Sequence, residues 1–305
     1  MQHILSASQF NREMLDEYLK RAEIMERVAA QGGSDDLKGK ILATLFFEPS
    51  TRTRLSFETA ILKLGGQVIS QESASVSSSA AKGETIEDTI RIVNGYADAI
   101  VLRHPEMGTA ERAARVSEVP LINAGDGPGE HPTQSLLDLF TIQKELGHID
   151  NIHIAFVGDL KYGRTVRSLA RFLTNYTNVN MTFVSPVPLR LGDDIKKILA
   201  EHRVSFSETE NLNEIITNID ILYMTRVQQE RFSDKSEYER LKNSYVLTAD
   251  LVGNMKQSAR ILHPLPRVNE IAPEVDRDPR AAYFRQARNG LYVRMALLHT
   301  IIKGK

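Results

Sequence analysis

Short runs of strand formers alternate with amphipathic helical patterns along most of this chain, and that alternation limits the fold more than any other feature. Strand patterns at residues 40–47, 67–70, 99–102 and 121–124 are interleaved with helical patterns at 51–64, 109–116 and 132–145, after an opening helix over 8–30. A second series places strands at 153–157, 181–184, 220–224, 245–248 and 260–262, and a long helix over 281–302 closes the chain. Strands separated by helices at this pitch run parallel, because each helical crossover carries the chain back to the end of the sheet at which the previous strand began. At 305 residues the chain is long for one core. The expectation is α/β, two domains, each a parallel sheet flanked by helices, joined by interdomain helices. One domain comprises residues 1–132 with 289–305 and the other residues 133–288. The pattern at 132–145 has no breaker, so the junction falls on a helix rather than on a flexible linker.

Composition narrows the function. Hydrophobic residues make up 42% and charged residues 25%, with a net charge of −1, so nothing in the charge balance calls for nucleic acid or an anionic membrane as partner. The chain contains no cysteine, which removes disulfides, thiolate metal sites and a Cys nucleophile. No run approaches the ~20 apolar residues of a membrane span, and residues 1–6 show no basic region before an apolar core. The expected location is the cytoplasm.

Chemistry-bearing residues follow the strand patterns, where an α/β sheet places its ligands. Ser50-Thr51-Arg52-Thr53-Arg54 follows the first strand and opens a helix. Unpaired backbone donors, the helix dipole, three hydroxyls and the Arg52 guanidinium there suit a phosphate-sized anion. A Ser- and Ala-rich stretch over 71–81, without hydrophobic period, ends at Lys82. Arg103-His104-Pro105 follows the strand at 99–102, and His131-Pro132-Thr133-Gln134 opens a helix after a Gly-Asp-Gly-Pro-Gly turn. Gly158-Asp159-Leu160-Lys161-Tyr162-Gly163-Arg164 follows another strand, but its glycines stand five apart and lack the dinucleotide-binding spacing. Arg226-Val227-Gln228 and His263-Pro264-Leu265-Pro266-Arg267 complete the set. Together these give Arg52, Lys82, Arg103, Arg164 and Arg226, one His and one Gln, with almost no acid. A phosphate and two carboxylates would bring roughly four negative charges, which that many cations would match. No carboxylate cluster suggests a metal.

In that order, the Ser50 to Arg54 element, Lys82-Gly83-Glu84-Thr85, Arg103-His104-Pro105, His131-Pro132-Thr133-Gln134, the Gly158 to Arg164 run and His263-Pro264-Leu265-Pro266 resemble the aspartate carbamoyltransferase family, over nearly the entire chain. The ornithine branch shares the first and fourth elements but typically has His-Cys-Leu-Pro at the last, and it lacks the arginine that here follows Met224-Thr225. A basic acceptor would need acids in place of Arg226.

The resemblance implies a first domain that binds carbamoyl phosphate, a second that binds L-aspartate, and no cofactor. It implies that Ser50, Thr51, Arg52 and Thr53 hold the phosphate with Arg103, and that Thr53, Arg103 and His131 donate to the carbamoyl oxygen. Gln134 and the backbone of Leu265 and Pro266 would hold the carbamoyl NH₂, and Arg164, Arg226 and Gln228 the two carboxylates. Ser78 and Lys82 would complete the substrate site. Glu48 would bridge to Arg164 and Arg231 on domain closure. Members form catalytic trimers in which the loop carrying Lys82 enters a neighbouring site, and some trimers pair with separate zinc-containing regulatory chains. The likeness extends to Lys161, Tyr162, Glu237 and Tyr238, which in the regulated members make contacts that differ between activity states. Ala80 and Ala81 depart from the glycine and second lysine that members often carry beside the loop lysine.

Overall fold

A computed structural model describes residues 3–72, 83–127, 129–229, 232 and 234–304. The chain divides into two compact units, residues 1–140 with 288–305, and residues 141–287.

Unit 1 opens with a 3-10 turn and helix α1 (Arg12–Ala30), whose N-cap Asn11 accepts a hydrogen bond from the backbone of Met14. Four parallel strands follow: β1 (Ile41–Phe46), β2 (Gln67–Glu72), β3 (Ala99–His104) and β4 (Leu121–Asp126). Between them run α2 (Thr51–Lys63), α3 (Ile86–Val93) and α4 (Thr109–Val116). Apolar residues on alternate positions of β1 and β3 (Ala43, Leu45, Ile100, Leu102) pack with Ile86 and Ile90 of α3, each burial being worth about 1.5–3 kcal/mol for a large side chain. Edge strand β2 is mostly exposed, as a polar QVISQE sequence requires.

The strand order is β2-β1-β3-β4. The chain leaves β1 toward one edge and returns on its other side as β3. The loops at the carboxyl ends of β1 and β3 therefore lead away in opposite directions, the arrangement at which open α/β sheets place their ligands. Helix α5 (Pro132–Leu146) carries the chain across the division between units.

Unit 2 repeats the logic with five parallel strands: β5 (His153–Val157), β6 (Asn180–Val184), β7 (Ser205–Thr209), β8 (Ile221–Met224) and β9 (Arg260–Leu262). Its helices are α6 (Arg164–Leu173), α7 (Asp193–Glu201), α8 (Lys235–Leu241) and α9 (Ala249–Gly253). The strand order β7-β6-β5-β8-β9 puts the switch between β5 and β8. Beneath it lies an apolar core of Ala155, Val157, Leu222, Met224, Ile261 and Tyr283 among others. The last helix, α10 (Tyr283–Lys303), enters unit 1 at Arg288.

Two strand assignments differ from the sequence reading. Residues 245–248 form no strand: Leu247 makes one isolated bridge to Ile271, and its apolar character serves the core. The strand that sequence reading missed is β7, whose SFSET sequence looks like a loop because it forms the partly exposed edge of the sheet.

Candidate functional site

The first candidate cluster stands at the switch point of unit 1. Chain flow out of β1 puts Pro49 and Ser50 ahead of α2, and Ser50, the N-cap, makes no side-chain capping bond. The first-turn N–H groups of α2 thus remain available to an anion, at the positive end of the helix. Thr53 is buried in that turn, whereas Thr51 and Arg52 are exposed. The two arginines of the motif are used differently. Arg54 lies 3.3 Å from Glu58 and 2.8 Å from Glu72, and so ties α2 to β2. Arg52 belongs to the exposed face of the first turn.

Arg103 occupies the adjacent strand, in register with Phe46. Its Nη1 donates to the carbonyl of Ala124 in β4 at 3.2 Å, and its Nη2 lies 3.2 Å from Glu48 Oε2 just beyond β1. One guanidinium, only 8% exposed, thus spans the carboxyl ends of three strands. Next to it His104 packs on Phe47, and burial lowers the pKa of its imidazole. Beyond β4, Asp126 accepts from the backbone of Gly108 and Glu130 at 3.0 and 2.9 Å, which shapes the turn leading to His131. His131 is 4% exposed, and its carbonyl accepts from Gln134 and Ser135 as α5 begins.

The second cluster stands at the switch point of unit 2. Gly158, at φ +115°, ends β5 where a Cβ would overlap the carbonyl oxygen of Thr225, so only glycine allows β5 and β8 to approach this closely. Asp159 follows, fully buried. Its carboxylate accepts from the backbone of Tyr162 at 3.0 Å and of Gln228 at 3.4 Å, and so joins the loop after β5 to the loop after β8. Burial pushes the pKa of this carboxyl up to about 6, against the opposing pull of those N–H groups and of the nearby Arg226. Arg164 opens α6 behind Gly163, and Arg226 and Gln228 are half-buried beyond β8.

Beyond β9, His263 is buried. Its Nδ1 accepts from the N–H of Leu265 at 2.7 Å, so its Nε2 carries the proton and donates to Glu270 Oε1 at 2.7 Å. Desolvation lowers the pKa of His263, in keeping with a neutral ring, despite the opposing attraction of Glu270. This pair fixes the backbone at Leu265, which has φ +53° and precedes a cis bond to Pro266. The hydrogen bond from Gln228 to Asp159 joins the loops after β5 and β8, and β9 pairs on the other side of β8, so the three loops leave the sheet side by side. Arg267 is tied to Asp276 and Tyr283 and serves the loop itself.

Two family models cover the chain, the carbamoyl-P binding domain of aspartate/ornithine carbamoyltransferase over residues 2–144 and its Asp/Orn binding domain over residues 150–301. The chain belongs to the aspartate/ornithine carbamoyltransferase family. The relatives point to one branch of that family. The catalytic subunit of aspartate carbamoyltransferase from Methanothrix thermoacetophila is 54% identical, covering 99% of this chain and 98% of the relative. A chloroplastic aspartate carbamoyltransferase of Arabidopsis thaliana is 52% identical over 99% of this chain and 78% of its own. Among solved structures, the catalytic subunit of M. jannaschii aspartate transcarbamoylase superimposes with a TM-score of 0.92 at 51% identity, covering 99% of this chain and 98% of that one. The Trypanosoma cruzi enzyme in complex with carbamoyl phosphate and aspartate gives 0.93 at 40%, covering 98% and 96%.

The residues expected to form the site fall at both switch points: Ser50, Thr51, Arg52, Thr53 and Arg103 in unit 1, and Arg164, Arg226 and Gln228 in unit 2. His131 and Gln134 start α5, and Leu265 and Pro266 follow β9. Ser78, Lys82 and Arg231 lie outside the described residues. Glu48, expected to serve the other domain, is paired here with Arg103. Sequence reading assigned no role to Asp159, because a carboxylate that serves backbone N–H groups has no charged partner at a telling spacing. Among the described residues no group of three or more His, Asp or Glu side chains could hold a metal, and no helix is long and apolar enough to cross a membrane.

Proposed function

We propose that unit 1 binds carbamoyl phosphate and unit 2 binds L-aspartate, each at its own switch point. The chain is an enzyme that transfers the carbamoyl group of carbamoyl phosphate to the amine of L-aspartate, giving N-carbamoyl-L-aspartate and phosphate, a reaction of pyrimidine biosynthesis. Arg226 is the observation that carries the choice of acceptor: a guanidinium beside the loops after β5 and β8 suits a second carboxylate and repels a basic side chain.

In this reading the first turn of α2, with Ser50, Thr51, Arg52 and Thr53, holds the phosphate together with Arg103. Thr53, Arg103 and His131 donate to the carbamoyl oxygen, where negative charge grows as the amine nitrogen attacks the carbamoyl carbon. Gln134 and the backbone at Leu265 and Pro266 receive the carbamoyl NH₂. Arg164, Arg226 and Gln228 hold the aspartate carboxylates. The new C–N bond forms, the C–O bond to phosphate breaks, and the departing phosphate takes the amine proton. Rate acceleration comes from orientation and from donors already aimed at the oxyanion, which needs no cofactor. Ser78 and Lys82 come from a neighbouring copy in a homotrimer, and Glu48 exchanges Arg103 for Arg164 and Arg231 during turnover.

Steady-state turnover with carbamoyl phosphate and either L-aspartate or L-ornithine tests the reading. Carbamoyl-aspartate should form while ornithine gives no citrulline. Citrulline as the main product would overturn it.

A further inference from the structure

Gln134 and Asp138 stand one turn apart on α5, on the same face of the helix. Gln134 is half-buried and Asp138 is fully buried. The amide Nε2 of Gln134 donates to Asp138 Oδ1 at 2.9 Å. An ionised carboxylate can only accept, so it claims the NH₂ end of the amide and leaves Oε1 turned away from it. Without that partner the two ends of a glutamine amide are nearly equivalent in shape.

A second buried charge supports the arrangement. Arg294, on α10 within unit 1, is 3% exposed and lies with its guanidinium 5.1 Å from the centre of the Phe57 ring of α2. A Cβ at Gly290 would overlap Arg294 Nη1, so the glycine opens the slot for the side chain. Burial lowers the Arg294 pKa to about 10, still charged at neutral pH, and Asp138 is the group that favours its cationic form. Burying two charges is costly and contributes little to stability beyond what apolar residues of the same size would provide. Two buried charged side chains close to a candidate substrate residue therefore call for a reason other than stability, and the Gln134–Asp138 hydrogen bond supplies one.

We infer that Asp138 is a positioning residue that fixes the amide of Gln134 so that its oxygen faces the acyl donor, selecting a donor that carries NH₂ over one that carries CH₃. The inference rests on the reading that puts Gln134 at the carbamoyl nitrogen. That nitrogen is a donor only, since its lone pair is delocalised into the carbonyl. It is matched by Oε1 and would be opposed by the NH₂ of a flipped amide.

Acetyl phosphate, which replaces the carbamoyl NH₂ with CH₃ and keeps the phosphate, is the probe. Its inhibition constant and the Kd of carbamoyl phosphate are measured on the whole enzyme for wild type, Asp138→Asn and Gln134→Ala. Wild type should prefer carbamoyl phosphate. Asp138→Asn, which can accept or donate toward Gln134, should lose about tenfold of that preference, the scale of one hydrogen bond. The loss should fall on carbamoyl phosphate, with acetyl phosphate and inorganic phosphate within about twofold of wild type. If Asp138→Asn does not fold, the double variant Asp138→Leu, Arg294→Met removes both buried charges and should show the same loss. An unchanged preference in a folded variant overturns the inference. If Gln134→Ala loses the preference while the Asp138 variants keep it, the inference alone fails. If Gln134→Ala keeps it too, the placement of Gln134 fails with it.

Discussion

Arg103 Nη2 lies 3.2 Å from Oε2 of Glu48, so the guanidinium expected to hold the leaving phosphate already has an anionic partner. A carboxylate at that position competes with the phosphate for the same charge. Replacing Glu48 with Gln should tighten carbamoyl phosphate binding by up to about fivefold, the ~1 kcal/mol scale of a partly exposed ion pair. Turnover should fall, because the proposed exchange of Glu48 to Arg164 and Arg231 is lost. Titration calorimetry and initial rates check both halves, and a weaker affinity for carbamoyl phosphate would show that Glu48 builds the site rather than guards it.

The two arginines of the Ser50 to Arg54 motif should separate cleanly. Arg52→Ala should lower kcat by on the order of 10²-fold or more, the usual loss for a charge-assisted donor to a developing anion, with the melting temperature nearly unchanged. Arg54→Ala removes the ties to Glu58 and Glu72 and should act mainly on stability, by about 1 kcal/mol. Equal effects of the two on kcat would count against the division.

His131→Ala should reduce kcat by roughly 2–4 kcal/mol of transition-state stabilisation, as removing one oxyanion donor does, while inorganic phosphate binds as before. Collapse of phosphate affinity at an unchanged maximal rate would instead make His131 part of the anion pocket.

Asp159 gives opposite pH signatures in binding and in stability. Its pKa is pushed up to about 6 in the folded chain, against about 4 in an unfolded one. The folded state therefore takes the proton first, so this group's contribution to stability is present below about pH 4 and lost as pH rises through 6. Protonation also lowers the negative charge that the N–H groups of Tyr162 and Gln228 point at, one on each carboxylate oxygen, and so loosens the tie between the two loops. The KM for aspartate should thus climb as pH falls below 6, and in Asp159→Asn it should be raised and flat between pH 5 and 7. A wild-type KM that is flat over that range would contradict the role.

The sequence made the parallel α/β class legible because each strand is a short apolar run with a helix after it, and it made the clusters legible because Arg52, Arg103, Arg164 and Arg226 all follow such runs. Strand order was not legible, since nothing in the local pattern of β1 says that β3 pairs on its far side from β2. The switch points, and with them the reason that these loops rather than others are the candidates for ligand binding, emerge only from pairing. Asp138, Asp159 and Arg294 were unreadable for a related reason: each is a buried charge whose meaning lies in partners brought to it by the fold.

If the trimer is shared as proposed, inactive Lys82→Ala and Arg52→Ala chains, unfolded together in equal amounts and reassembled, should regain activity in about one quarter of sites. No recovery in oligomers shown by native mass spectrometry to be mixed would confine Lys82 to its own chain.

The assignment of one substrate to each switch point is tested most directly by the Kd of carbamoyl phosphate for the Arg52→Ala and Arg226→Ala enzymes. The expected result is at least tenfold weaker binding to Arg52→Ala, about the loss of one charged hydrogen bond, and a Kd within about twofold of wild type for Arg226→Ala. Equal weakening in both, or a loss confined to Arg226→Ala, would contradict the account.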